Sequence, residues 1–325
     1  MKFVTFKSVA KLAVSACLVA AAPAGLAQTF PDKPVKIILG YAAGGPTDTL
    51  TRVLAEGLSR KWGQPVVVEN RVGATATIAT ANVANAKPDG YTLLMAANDY
   101  AISSVTFKNL PYTVGESLTP IGLVAYTPNV LVLAPAFKGN SYADFVKAAT
   151  DAPGRLSYSS TGSGSISHIS AELFKSKTSL DVLHVPYKGF AASLPDLLGG
   201  RIDVAFPSLA SVMTQIDSGV LRPVAIAAPE RSPLVPEVPT FAELGVKDMN
   251  VTTWYGLLAP AKTPVAIIDQ INKDVNQILS RPDIIEYYKK AGSQIKLTSP
   301  KEFDEQIKGE MKVLGTLASS LNLQD

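Results

Sequence analysis

The chain has 325 residues, 47% hydrophobic and 18% charged, with 23 Gly and 23 Pro. That composition excludes a disordered chain and leaves room for one large or two medium domains. The 30 basic residues exceed the 27 acidic ones by three, and Lys2, Lys7 and Lys11 of an acid-free leader account for the whole excess. The rest is neutral, so its charge predicts no affinity for nucleic acid or an anionic membrane.

The leader reads as an export signal. Three lysines precede the apolar run Leu12 to Ala22, and Gly25-Leu26-Ala27 offers small residues for cleavage before Gln28. The span from Leu12 to Ala27 is shorter than the roughly 20 residues a membrane-crossing helix needs. Val14-Ser15-Ala16-Cys17 loosely resembles a lipoprotein box, but the apolar run continues past it, which favours ordinary cleavage near Ala27. Cys17 is the only cysteine and would leave with residues 1–27. A mature chain of this size needs no disulfide, because its core can be large enough.

Past the leader, short β-branched runs alternate with helical patterns. Val35 to Leu39 reads as a buried strand, and Leu50, Val53, Leu54, Leu58 and Trp62 place one apolar face on a helix over Thr49 to Lys61. Val66 to Val68 is the next strand, Ala76 to Ala86 a helix and Tyr91 to Ala96 a third strand. The alternation predicts a parallel sheet with helices on both faces. Pro111, Pro120 and Pro128 then break up a loop-rich stretch, in which Ile121 to Ala125 and Val130 to Leu133 read as extended links.

A second alternating series follows. Helices are expected at Tyr142 to Ala149, Ser167 to Lys175, Phe190 to Leu198 and Ala210 to Ser218. Strands are expected at Leu156 to Ser159, Val182 to Val185, Asp203 to Phe206 and Pro223 to Ala227. Thr253 to Ala259 reads as a return strand, Ile267 to Leu279 as a helical stripe stopped by Pro282, and Pro300 to Leu321 as a final helix. Two such series joined by extended links read as two α/β domains, 28–125 with 253–325 and 126–252.

Two glycine- and hydroxyl-rich turns stand out. The first strand ends in Gly40-Tyr41-Ala42-Ala43-Gly44-Gly45-Pro46-Thr47-Asp48 before a helix. Such a turn can aim free N–H groups at an anion from a positive helix end, or can simply be a tight turn capped by Thr47 or Asp48. Asp48 suits the capping role, since a bare carboxylate repels an anion. The turn lacks both Gly-Lys-Ser/Thr and Gly-x-Gly-x-x-Gly, so it is not a nucleotide loop. The second is Ser159-Ser160-Thr161-Gly162-Ser163-Gly164-Ser165, ahead of a helix containing His168. It too reads as an anion cradle or as capping chemistry. Ligands of open α/β sheets lie beyond the carboxyl ends of strands, where Asn98, Tyr187, Pro207 and Ser208 also fall. Trp254 and Tyr255 read as hinge or core residues, with core the default for Trp.

Catalysis finds little support. Ser163 or Ser165 with His168 is the only hydrolase arrangement on offer, with no Gly-x-Ser-x-Gly elbow and no orienting third group. His168 and His184 are the only histidines, too few for a zinc site without cysteine.

Seven short motifs occur together in order: Phe30-Pro31-Asp32-Lys33-Pro34-Val35, Gly44 to Asp48, Val67-Val68-Glu69-Asn70-Arg71, Asp89 to Leu94, Ser160 to Gly164, Val185 to Gly189 and Trp254 to Leu257. With them the chain resembles the periplasmic solute-binding proteins of tripartite tricarboxylate transporters, the Bug family. The resemblance implies a type II periplasmic-binding-protein fold, α/β and two-lobed, with one small-ligand cleft between the lobes. It implies a small organic carboxylate as ligand, a membrane permease as partner, a periplasmic location and, by expectation, a monomer. It implies no catalytic residue, cofactor or metal. A ligand-sensing role, signalling to a membrane partner, uses the same closure and stays open. The resemblance maps ligand contacts onto Ala43 to Asp48, Ala97-Asn98 and Ser160 to Ser165. The expected contact set is therefore Tyr41, Ala43, Gly44, Gly45, Pro46, Thr47, Asp48, Asn98, Ser160, Thr161, Gly162, Ser163, Gly164, Ser165, His168, Tyr187, Pro207 and Ser208. Two departures matter. Pro207 stands where many members carry Asp, which points away from an amino-bearing ligand. Val72-Gly73-Ala74-Thr75-Ala76 stands where the family often has Pro-Gly-Ala-Gly-Gly.

Overall fold

The computed structural model describes residues 30–321, and their side chains through Leu314. The expected export signal lies outside the described residues. The first series runs β1 (Val35–Leu39), α1 (Pro46–Trp62), β2 (Val66–Asn70), α2 (Thr77–Ala84), β3 (Thr92–Ala97) and α3 (Asp99–Thr106). A long strand, β4 (Leu118–Leu133), leads into α4 (Tyr142–Asp151), β5 (Ser157–Ser160), α5 (Ile166–Thr178), β6 (Leu183–Pro186) and α6 (Phe190–Leu198). Then come β7 (Val204–Ala205), α7 (Leu209–Asp217), β8 (Arg222–Ala227), β9 (Thr252–Pro260), α8 (Val265–Leu279), α9 (Pro282–Lys290), β10 (Gln294–Ile295) and α10 (Pro300–Leu321).

The strands are joined in the order β2-β1-β3-β9-β4-β7-β5-β6, with β8 and β10 also pairing with β4. β1 is parallel to β2 and β3, and β5 is parallel to β6 and β7. β4 is antiparallel to β7, β8, β9 and β10, and β9 to β3, so the sheet is mixed rather than parallel throughout. Period-two alternation sorts each strand between two faces. Val35, Ile37 and Leu39 join one core with the buried face of α8, whereas Ile38 joins the opposite one with Trp254 and Phe303. In the second half, Leu131 and Leu133 pack with Phe145, Phe174 and Phe241, while Val130 and Val132 pack with Leu197, Leu209 and Val212.

One further sequence expectation needs correction, and two helices were not expected. The two links around Pro120 and Pro128 are one 16-residue strand, β4, which serves both sheet halves. Pro120 is accommodated because the register shifts between it and Gly122, the irregularity at which proline is tolerated in a strand. Pro282 follows the end of α8 but also opens α9, where its missing N–H costs nothing. Helix α3 was not foreseen at all.

Candidate functional site

Every turn singled out in the sequence leaves the carboxyl end of a strand that is parallel to its neighbour. In the first half the chain leaves β1 through Gly40, where an added Cβ would lie 2.4 Å from the Cβ of Ala76. The turn is tied by one carboxylate. Asp48 Oδ2 accepts from the Gly44 N–H at 2.9 Å, Arg52 Nε donates to both Asp48 oxygens, and Asn70 Nδ2 donates to Oδ1 at 2.9 Å. Burial alone would raise the Asp48 carboxyl, but Arg52, the Gly44 N–H and Asn70 together hold it below the ordinary carboxylate value. The helix N-cap is Gly45 rather than Asp48, which stands one turn inside and reaches back. Ala43 and Gly44 are exposed, Gly45 and Pro46 half-buried, and Thr47 buried.

The second-half loop between β5 and α5 is tied by hydroxyls and imidazoles. Ser167 Oγ accepts from the Thr161 N–H at 2.9 Å and lies 3.0 Å from both Thr161 Oγ1 and Ser165 Oγ. Gly162 N–H donates to Ser160 Oγ, Ser165 Oγ donates to the Gly162 carbonyl, and Gly164 N–H donates to His168 Nδ1 at 3.0 Å. His168 stacks on His184 with ring centroids 4.0 Å apart, and Ser160 Oγ lies 2.6 Å from His184 Nε2. Burial, and then the neighbouring His168, push His184 down to about 4, so it is neutral at neutral pH. The amides expected to be free for an anion are therefore bonded within the loop at Thr161, Gly162 and Gly164, because a Ser/Thr-rich turn satisfies its own donors. Ser163 remains exposed. The hydroxyl–imidazole contact is Ser160 with His184, not Ser163 or Ser165 with His168.

The remaining expected contacts divide. Tyr187 donates to Asp196 Oδ2 at 2.6 Å, which turns its hydroxyl to its own helix. Pro207 accepts from the Val130 N–H, and Ser208 Oγ lies 2.7 Å from Ser211 Oγ. Asn98 is hydrogen-bonded within the chain through both ends of its side-chain amide. Its Oδ1 accepts from the Trp254 N–H at 2.8 Å, and its Nδ2 donates to the Thr252 carbonyl and to Glu310 Oε1. Asn98 thus locks β3 to β9 and α10, and Trp254 is the core residue expected, 2% exposed and edge-on to Phe303.

The two halves meet where α3 packs against the β5–α5 loop and α5. An added Cβ on Gly164 would lie 2.8 Å from Thr106 Cγ2 of α3. Ala101 and Ile102 of α3, Ile169 of α5 and Leu314 of α10 form a shared apolar cluster. Beside it is a polar group that the sequence did not announce. The Tyr41 hydroxyl is buried and faces the Asp99 carboxyl. Asp99 also faces the Ile166 N–H at the start of α5. Asp99 is half-buried, and burial pushes its carboxyl up to about 6. Tyr255 lies near Asp99, with the Ser208 hydroxyl facing it. Glu310, holding Asn98 and Trp254, is pushed up to about 7 by burial. Among the described residues no cluster of His, Cys, Asp and Glu is arranged to hold a metal, and no helix is long and apolar enough to cross a membrane.

Comparison with known proteins decides the family. Residues 50–323 match the model of the "Tripartite tricarboxylate transporter family receptor". The chain belongs to this receptor family. It is similar to the protein BugT of Bordetella pertussis, 35% identical over 276 residues that cover 84% of this chain and 85% of BugT. Its fold matches the periplasmic binding protein BugD, with a TM-score of 0.85 at 30% identity over 91% of this chain and 100% of that one. It also matches an R. palustris protein solved with adipate, with a TM-score of 0.87 at 29% identity over 90% of this chain and 98% of that one. This member of the receptor family is accordingly a periplasmic solute-binding protein with the mixed α/β architecture of that class. The family reading drawn from seven short motifs holds, and the relatives are binding proteins.

Proposed function

We propose that this receptor captures a small organic carboxylate between two lobes and delivers it to the permease of a tripartite transporter. The lobes are 28–125 with 253–325, and 126–252, and β4 and β9 form the crossing between them. The observation that carries this reading is the meeting of α3 with the β5–α5 loop of the other sheet half, with Gly164 set against Thr106 and Asp99 facing the Ile166 N–H, while Tyr41 of the β1–α1 turn faces Asp99. Capture follows from differential affinity: a ligand touching both turns stabilises the shut arrangement, because only that arrangement supplies both sets of contacts. Each charge-assisted hydrogen bond contributes about 1.5–3 kcal/mol, so a few suffice for micromolar binding after ordering costs. Contacts come from residues Tyr41 to Asp48 on one side and Ser160 to His168 on the other, with Ser208 at the rim.

A thermal-shift screen against a carboxylate library tests the reading, since a ligand at 100 times its Kd stabilises by about 2.7 kcal/mol. Binding of at least one small carboxylate, weakened in Thr47→Ala and in Thr161→Ala without loss of fold, is the expected result. Unchanged calorimetric affinity in both variants removes the two turns from the site, and silence across the library removes the function. Growth on the captured acid, lost on deletion of the adjacent permease, tests delivery.

A further inference from the structure

Among the described residues, buried apolar side chains form five clusters, and four of them draw their buried members from one lobe only. The fifth draws on both. Ala101 and Ile102 of α3 and Leu314 of α10 belong to the first lobe, Ile169 of α5 to the second, and none of the four is more than 4% exposed. Val105, Met311 and Ile166 pack against them. Beside this cluster Gly164 brings its loop down onto Thr106, where a β-carbon would lie 2.8 Å from Cγ2. The crossing strand β4 is tied to the first lobe differently, by hydrogen bonds. Thr253 Oγ1 donates to Asn129 Oδ1 at 3.0 Å, and Thr127 Oγ1 donates to the Gly292 carbonyl at 2.7 Å.

On the reading that the two halves are lobes closing on a ligand, we infer that the α3–α5–α10 cluster is a latch: it holds the lobes shut before a ligand arrives and sets how fast one enters. Swinging the lobes apart carries Ile169 away from the first-lobe members and exposes all four to water, at a cost proportional to the apolar area uncovered. Interfaces between domains of one chain are ordinarily polar, and such domains move readily unless the contact is hydrophobic. This contact is hydrophobic and almost fully closed. Two consequences follow. The shut arrangement is the resting one, so little affinity is lost to an unproductive population. A ligand enters only while the latch is open, so its association is slow. The latch thus trades speed of capture for tightness without touching the ligand turns.

Leu314→Ala and Ile102→Ala test this, since both shorten the latch and neither residue lies in the two ligand turns. Small-angle X-ray scattering on the ligand-free protein is expected to give each variant a larger radius of gyration than the unmodified chain. Val212→Ala, an apolar truncation inside the second lobe, is expected to leave the radius unchanged. Ile102→Val replaces either latch variant that fails to fold by circular dichroism. Stopped-flow binding of succinate, malate and glutarate adds the rates. Whichever acid binds is expected to associate roughly threefold faster with the latch variants, yet to bind them roughly threefold more weakly, because their shut state is less populated. General damage to the fold lowers affinity without raising the association rate. Equal radii for the unmodified protein and both latch variants overturn the latch, and so does an unmodified protein that contracts on binding as much as the variants do. The scattering comparison needs no ligand, so it decides the latch even where all three acids and the wider library are silent, an outcome that overturns capture alone.

Discussion

The turn after β1 and the loop after β5 hold the same topological position in the two halves, yet different chemistry fixes them. The first is centred on one ionised carboxylate, Asp48, which gathers a guanidinium, a side-chain amide and a main-chain N–H. The second is a neutral web in which Ser160, Ser165, Ser167, His168 and His184 share short contacts. A charged hub concentrates stabilisation in one side chain, whereas a neutral web spreads it over many weaker bonds. The difference also sets how each half responds to acid. Asp48, held below the ordinary value of 3.8, keeps its charge through mild acidity, while the His184 imidazole of the other half must resist protonation there.

The largest effect expected from this contrast is at the hub. Asp48→Ala leaves Arg52, the Asn70 amide and the Gly44 N–H without their shared acceptor, and the Asp48 side chain is only 4% exposed. The expected loss is about 3 kcal/mol, read from urea denaturation midpoints. A loss below about 1 kcal/mol shows that the turn does not depend on a single group, and the contrast between the halves then fails.

Acid titration comes next in size. The His184 imidazole is held at about 4 against an ordinary 6.5. As pH falls through that window, the unfolded chain takes up a proton that the folded chain resists, so this group lowers stability on the way down and contributes nothing above 6.5. With allowance for its partial exposure the effect is about 1–2 kcal/mol. His184→Phe keeps an aromatic ring on His168 and removes the titration. Its stability relative to the unmodified protein is expected to improve between pH 6.5 and 4. Glu310 and Asp99 respond in the opposite sense, since their raised values favour the folded chain as pH falls through about 7 and about 6 respectively, but they are common to both proteins and cancel in the difference. Equal slopes for the two proteins over that window reject the assignment to His184.

Ser167→Ala measures the web directly. It removes the acceptor of the Thr161 N–H and two hydroxyl contacts, all in a buried residue. Because Ser165 and Ser160 still hold Gly162, the expected loss is about 1 kcal/mol by the same denaturation assay. A loss as large as that of Asp48→Ala places a hub in the second half as well.

How legible these features are in the sequence follows from where their determinants lie. β1 is bounded correctly at Val35 and Leu39 because its apolar run ends at Gly40. Helix α6 is bounded correctly at Phe190 and Leu198 in spite of Pro195 within it. Helix α3 is illegible because Ser103, Ser104, Val105 and Thr106 are poor helix formers, and packing of Tyr100, Ala101 and Ile102 holds it instead. The two turns are visible as motifs, but whether their amides are free depends on Asp48, Ser167 and His168 bending back, which periodicity does not report. Asp99 and Glu310 are single acids whose neighbours come from distant segments. Beside Asn98, Asp99 reads as an ordinary helix start, and Glu310 reads as one more charge on a surface helix.

The smallest effect concerns the wall beside the first turn, where this chain departs from the glycine-rich family pattern. Ala74, Thr75 and Ala76 have φ of 44°, 49° and 64°, three consecutive side-chain-bearing residues in the left-handed region. For an L-residue that conformation costs about 1–2 kcal/mol, and a β-branched side chain suffers most. Thr75 is therefore the most strained of the three. Glycine adopts this φ freely but loses more freedom on folding, so the two effects partly cancel. Thr75→Gly is expected to stabilise the protein by about 0.5–1 kcal/mol, and Thr75→Ala, which keeps a Cβ, to recover less than half of that. Thermal denaturation of the two variants separates backbone relief from loss of the hydroxyl. If Thr75→Ala gains as much as Thr75→Gly, the strain resides in the branched side chain and not in the backbone. The rigid wall of the first half then owes its shape to its contact with Gly40, where the Ala76 backbone leaves no room for a side chain.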